Sequence, residues 1–205
     1  MAPLKIAVLA STRATDMLGI IDEIRKGNLD AEIKILLSNK KDAYALERAG
    51  NNGIESMFID SAGLSREDYD EKLIAELKKR DIELILLIGY MKILSKKFIN
   101  AYKFKIMNIH PSLLPAFGGG MDKNVHKAVL DYGCKITGCT LHFADESVDG
   151  GPIIIQKTCE INECDNENTL KEKVQNLEVH AFIEVIKLFS ENKLNVECRK
   201  VKILK

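Results

Sequence analysis

An α/β fold, with a doubly wound, mostly parallel sheet and helices on both faces, is predicted by three features of this 205-residue sequence. Apolar runs of strand length alternate with amphipathic stretches of helix length through the first hundred residues. The runs at 4–10 (LKIAVLA) and 82–88 (IELILLI) are nearly unbroken, as strands covered on both faces must be. Beyond residue 111 two strands flank a short acidic loop, so antiparallel pairing is expected in the C-terminal half.

Taken in order, residues 4–10 read as the first strand. Ser11-Thr12-Arg13-Ala14-Thr15-Asp16 then precede Met17, Ile20, Ile21 and Ile24 at helical spacing. Two readings of that loop stay open: a cradle of backbone N–H groups for an anion, or ordinary N-capping by Thr15 or Asp16. Residues 31–37 and 54–59 read as strands, and 42–50 and 65–79 as helices. Residues 82–88, the most apolar run, read as a central strand that exits through Gly89-Tyr90-Met91-Lys92-Ile93-Leu94. There Met91, Ile93 and Leu94 either line a pocket for a flat ligand or pack into the core. A short helix at 95–102 leads to a strand at 105–110.

Phe117-Gly118-Gly119-Gly120 reads as a flexible connection to a helix at 123–130. Residues 136–143 and 153–159 are strands joined by Ala144-Asp145-Glu146-Ser147-Val148-Asp149-Gly150-Gly151-Pro152. A long amphipathic helix spans 168–192, with Leu170, Val174, Leu177, Phe182, Ile186 and Phe189 on its apolar side. Gln175 and Glu178 share another face, addressing a ligand or simply solvated. In the tail, alternation slips at Arg199-Lys200, and the segment reads as an edge strand or extended arm. No repeat or linker interrupts the chain, and one domain over 1–205 is expected.

Lys plus Arg equals Asp plus Glu at 30 each, so no long-range field recruits nucleic acid or an anionic membrane. Five cysteines with no C-x-x-C fit reduced thiols better than a disulfide framework or a zinc site, so no metal is expected. No segment approaches the ~18 apolar residues of a membrane span. A cytoplasmic location follows as an expectation.

Chemistry concentrates at Asn108-Ile109-His110-Pro111-Ser112-Leu113-Leu114-Pro115. At strand spacing Asn108 and His110 point to one side, and the two prolines end the strand, where sites of open parallel sheets form. An amide that donates hydrogen bonds beside an imidazole that carries a proton is what acyl or formyl transfer needs. Asp149, 39 residues beyond His110 and fixed before Gly-Gly, is either a solvated turn acid or the group that orients the imidazole.

Together with Gly138-Cys139-Thr140-Leu141-His142-Phe143 and Val148-Asp149-Gly150-Gly151-Pro152, that stretch resembles the folate-dependent formyltransferases. Within them the chain is most similar to the glycinamide ribonucleotide formyltransferases of purine synthesis. Ser38-Asn39-Lys40, Leu46-Glu47-Arg48-Ala49, Ser65-Arg66-Glu67 and the segment from Gly89 to Ser95 belong to the same pattern. The resemblance implies a nucleotide-binding-like half at 1–111 and a folate and catalytic half at 112–205. It implies 10-formyltetrahydrofolate as formyl donor, small-molecule substrates and no metal. Asn108, His110 and Asp149 are then the catalytic trio, and Arg66, Met91, Lys92, Ile93 and Leu94 border the folate. Arg13, Ala14, Thr15, Asp16, Gln175 and Glu178 address the ribonucleotide. His142 is given no catalytic role.

Two departures stand out. Where the family usually carries a Gly-Ser-Asn-like phosphate loop, this chain has Ala14-Thr15-Asp16, so a Cβ opposes positive φ and a carboxylate sits where phosphate is expected. After Glu178 the usual Glu-His pair becomes Glu178-Val179-His180. A formyltetrahydrofolate hydrolase, a transferase acting on an amino sugar, and a nucleotide-binding module without catalysis are the competing readings. The last is weak because no G-x-G-x-x-G follows the first strand.

Overall fold

A computed structural model describes residues 2–119 and 124–204. The chain forms two compact units, residues 1–107 and 108–205. The first alternates strand and helix: β1 (Leu4–Leu9), α1 (Met17–Arg25), β2 (Ala31–Ser38), α2 (Tyr44–Asn51), β3 (Ser56–Phe58), α3 (Arg66–Lys79), β4 (Leu84–Leu87) and α4 (Lys96–Ala101). Its strands run parallel in the order β3-β2-β1-β4. From Ile6 to Leu9 no side chain of β1 is exposed, because β2 and β4 cover its edges and both faces are packed. β4 is equally buried, and its Ile85 N–H donates to Lys105 O at 2.8 Å, so it too is flanked on both edges.

Two of the four helix starts in this unit follow side-chain caps. Ser65 Oγ accepts from Asp68 N ahead of α3, and Ser95 Oγ accepts from Phe98 N ahead of α4. The second helix begins at Tyr44 rather than at 42, because Ala43 N–H closes a turn onto Lys40 O and Ala43 itself keeps an extended backbone.

β5 (Ile106–His110) carries the chain from one unit into the other. The second unit continues with α5 (Val125–Tyr132), β6 (Ile136–Phe143), β7 (Ile153–Glu160), α6 (Glu167–Ser190), β8 (Leu194–Glu197) and β9 (Lys200–Ile203). β6 and β7 form the expected antiparallel hairpin. It requires Gly138, where an added Cβ would lie 1.8 Å from Lys157 O. α6 packs on β6 and β7, and its Leu170, Val174, Phe182 and Ile186, all on the expected apolar side, are buried, with Leu170 clustered against Val125 and Val129 of α5. Gly120 and Lys123, part of the expected connection and helix start, lie outside the described residues; the described helix starts at Val125, capped by Asn124.

The tail corrects the sequence reading. It is neither one edge strand nor an arm but a hairpin, with β8 antiparallel to β9 and β9 parallel to β7. The slip in alternation is the turn itself, where Cys198 takes φ 55°. No helix among the described residues is long and apolar enough to cross a membrane.

Candidate active site

The second unit brings Asn108, His110 and Asp149 together. β5 presents Asn108 and His110 on one side, and the β6–β7 loop returns Asp149 to them. That return is tight: an added Cβ at Gly151 would lie 1.8 Å from Phe143 O, and Asp149 itself holds φ 53°, a strained backbone of the kind that recurs at functional sites. Asp149 Oδ2 lies 3.3 Å from His110 Nδ1 and accepts from Gly119 N at 3.0 Å. Asp149 Oδ1 accepts from Asn108 Nδ2 at 3.4 Å. The other imidazole nitrogen, His110 Nε2, is 3.1 Å from Phe117 O. An acceptor therefore faces each ring nitrogen, and only the doubly protonated imidazolium satisfies both. His110 is 6 % exposed, so these partners are not exchanged freely with water.

His142, given no role in the sequence reading, belongs to this cluster. Its Nδ1 faces Phe143 O at 3.0 Å, so Nδ1 carries the proton, and Nε2 is left as acceptor for Asn108 Nδ2 at 3.1 Å. Burial pushes its imidazole below the ordinary value, which keeps it neutral near pH 7. The arrangement fixes the Asn108 amide, because a basic ring nitrogen and a carboxylate oxygen both demand the NH2 end. Thr140, two residues earlier on the same strand, donates to Ser112 O at 2.7 Å and accepts from Leu114 N at 3.0 Å and Gln156 Nε2 at 2.9 Å. These bonds tie the segment after His110 to β6 and β7. Thr140 and His142 were discoverable in principle, since strand alternation puts them on one face.

The first unit holds a different kind of polar site. In the loop after β1, five successive carbonyls are engaged: Thr12 O by Ala45 N, Arg13 O by Arg48 Nη1, Ala14 O by Met17 N, Thr15 O by Leu18 N and Asp16 O by Ile20 N. The N–H groups of the same five residues donate no hydrogen bond among the described residues. Carbonyls turned to protein partners, with N–H groups left over at a helix start, make an anion-binding concavity. Ala14 adopts φ 44°, a left-handed backbone held despite its Cβ. Asp16 corrects the capping reading. Its backbone is αR (φ −66°, ψ −22°) rather than extended, and its side chain makes no capping bond. It is 6 % exposed, and burial pushes its carboxyl up to about 6 against the opposing charge of Arg48. Thr15 makes no capping bond either; neither residue caps α1 by its side chain.

Beside this loop is a depression of about 610 Å3 lined by Ser11, Thr12, Arg13, Lys40, Asp42, Ala43 and Tyr44. The guanidinium groups of Arg13 and Arg48 stand 5.5 Å and 5.1 Å from the Tyr44 ring. Ser11 is a further residue that sequence reasoning passed over: its hydroxyl donates to Asn39 Oδ1 at 2.6 Å and accepts from Met91 N at 2.7 Å, joining three strand exits. Gly89 takes φ 62°, and a Cβ there would meet Thr12 Oγ1 at 2.4 Å.

Past Gly89, Met91 and Ile93 are each 36 % exposed while Leu94 is buried. Lys92 Nζ lies 4.9 Å from the Tyr69 ring, and Arg66 is exposed at the start of α3. Asp70 Oδ2, buried, accepts from Ser95 N at 2.5 Å and so anchors the end of this segment. In the second unit, Gln175 is half-buried on α6 and Glu178 is buried rather than solvated.

Known proteins agree with these features. Residues 4–186 match the "Formyl transferase" family model. The chain is 34 % identical over 194 residues to the phosphoribosylglycinamide formyltransferase of Escherichia coli K12, covering 94 % of this chain and 90 % of that protein. It is 39 % identical over 193 residues to the trifunctional purine biosynthetic protein adenosine-3 of Gallus gallus, covering 94 % of this chain but 19 % of that much longer protein. In three dimensions it is similar to glycinamide ribonucleotide transformylase 1 from Symbiobacterium toebii, with TM-score 0.93, 36 % identity and coverage of 100 % of this chain and 95 % of that one. The matched region begins with β1, ends within α6 and contains the whole Asn108, His110 and Asp149 cluster; the chain belongs to the formyl transferase family.

Proposed function

We propose that this protein transfers the formyl group of 10-formyltetrahydrofolate to the primary amine of glycinamide ribonucleotide, a step of de novo purine biosynthesis. The observation that carries the reading is Asp149 Oδ2 at 3.3 Å from His110 Nδ1, beside an Asn108 amide whose orientation is fixed. Relatives named for this activity over nine-tenths of their length support the choice of substrates.

In the reaction the amine lone pair forms the new C–N bond to the formyl carbon, and the carbonyl electron pair moves onto oxygen. His110, as imidazolium, and one N–H of Asn108 stabilise that oxyanion. For these groups to donate there, Asn108 gives up the longer of its two bonds, the 3.4 Å contact to Asp149, and His110 Nε2 turns from Phe117 O. On collapse the C=O re-forms and the bond to folate N10 breaks. The amine loses a proton and N10 gains one, with His110 and Asp149 moving it directly or through water. The products are the formylated amine and tetrahydrofolate.

In the first unit, Arg13, Ala14, Thr15 and Asp16 hold the ribonucleotide phosphate, chiefly through backbone N–H groups. Arg66, Met91, Lys92, Ile93 and Leu94 serve the folate, the cations for its carboxylates and the exposed Met91 and Ile93 for its apolar surface. Gln175 and Glu178 address the ribose and amine.

The test is tetrahydrofolate formation by purified protein given 10-formyltetrahydrofolate alone, with glycinamide ribonucleotide, or with an amino sugar. Turnover that requires the ribonucleotide is expected. Turnover with the folate alone makes the protein a hydrolase, and turnover only with the amino sugar moves it to another amine.

A further inference from the structure

Asp16 is an anomaly that the reaction leaves unused. It is a carboxyl 6 % exposed, with no side-chain hydrogen bond to a described residue, placed in a row of N–H groups suited to an anion. A buried ionised carboxylate without a hydrogen bond is disfavoured, and a second anion seated on the same loop disfavours it further. A protonated carboxyl reverses the relation, because its O–H is a donor that a phosphate oxygen accepts.

We propose that Asp16 takes up one proton from solvent when the substrate's phosphate docks on the loop and donates it as a hydrogen bond to that phosphate, so that binding of the phosphorylated substrate is coupled to protonation. The proposal rests on the reading that a phosphorylated amine is the substrate. The charges around the loop fit it. Arg48 on α2 is the charge that acts on Asp16, but its Nη1 is committed to Arg13 O at 2.7 Å and its guanidinium stands over Tyr44, so it offsets the carboxylate without bonding it. Arg13, in the loop itself, also stands over Tyr44, and Lys40 and Asp42 line the adjoining depression with it. Burial already holds the carboxyl near the point where a small push protonates it at neutral pH. The consequence is a binding site that works best in mildly acidic solution and loosens as pH rises.

The experiment is titration calorimetry of wild type and Asp16→Asn at pH 7.5, each in two buffers of different ionisation enthalpy, with glycinamide ribonucleotide and separately with inorganic phosphate. The same samples are assayed for formyl transfer. Wild type is expected to take up close to one proton more than Asp16→Asn for either anion. The ratio of wild-type to variant dissociation constants should rise toward tenfold per pH unit above pH 7 and approach one below pH 6. Equal proton uptake, parallel pH profiles, or binding of neither anion overturns the proposal. Binding of both anions with the expected uptake, but with no formylation of the ribonucleotide, upholds the linkage and sinks the assigned substrate instead.

Discussion

Around His110 the polar atoms are committed; after β1 they are not. Both ring nitrogens of His110 and of His142, the amide nitrogen of Asn108 and both oxygens of Asp149 have partners. In the loop after β1 five carbonyls have partners, and the five N–H groups of the same residues have none among the described residues. The difference matches two tasks. Groups that stabilise charge developing in a reaction gain from being held near their working positions before it starts, since little reorganisation is then needed. Groups that receive a ligand must keep their donors unspent. Burial acts on each group by its chemistry, raising the carboxyls Asp16 and Asp70 and lowering the His142 imidazole, each toward its neutral form.

The contrast breaks first at the chemistry. Asp149→Asn or His110→Ala is expected to lower turnover by ~100- to 10,000-fold, the usual worth of general acid–base catalysis, with little change in folate affinity. Equilibrium binding of a folate analogue alongside kcat checks the split. Asn108→Ala should lower turnover by ~100- to 1,000-fold, as loss of one oxyanion donor does. A variant whose substrate affinity fell and whose turnover did not would move Asn108 from the reacting group to a binding role.

The fold's larger outline was legible from composition and period, because buried parallel strands are apolar throughout and α6 repeats its apolar positions. Asn108, His110 and Asp149 were legible because two prolines end β5 and Gly-Gly fixes the turn after Asp149. His142 was not. Alternation along β6 puts it on one face with Thr140, but its partnership with Asn108, 34 residues away, is a long-range contact that no local pattern carries. The loop after β1 was legible as strand, loop and helix, but Ala14 argued against positive φ, and the donors that engage the loop's carbonyls come from α2 and from α1. The tail was misread because one slipped residue looks the same in sequence whether it is a bulge or a turn.

Stability sharpens the comparison with smaller effects. Asp16→Asn is expected to stabilise the protein at pH 7.5 by at most ~3 kcal/mol, the worth of a carboxyl moved about two units. The sign follows from burial. A raised carboxyl binds its proton in the folded state before the unfolded one, so its contribution is fully present below the ordinary value of 3.8 and is lost as pH rises through about 6. Thermal melts from pH 5 to 8 should show the gain of Asp16→Asn shrinking on the acid side. His142 behaves oppositely: its lowered imidazole favours folding above the ordinary 6.5 and forfeits that contribution as pH falls through its folded value. His142→Gln should therefore lose less melting temperature than wild type between pH 7.5 and 5.5.

The smallest effect is expected from Ser11→Ala, which removes a bond to Asn39 and one from Met91 N. A loss of ~0.5–1.5 kcal/mol in denaturant unfolding is expected, with substrate affinity reduced more than turnover.

The division between a committed reacting cluster and an open receiving loop is tested most directly by single-turnover kinetics of Asp149→Asn with 10-formyltetrahydrofolate and glycinamide ribonucleotide both saturating. The chemical step should slow by at least ~100-fold while both substrates still bind. A chemical step at the wild-type rate would remove Asp149 from the reaction and leave its contacts to His110, Asn108 and Gly119 as structural bonds alone.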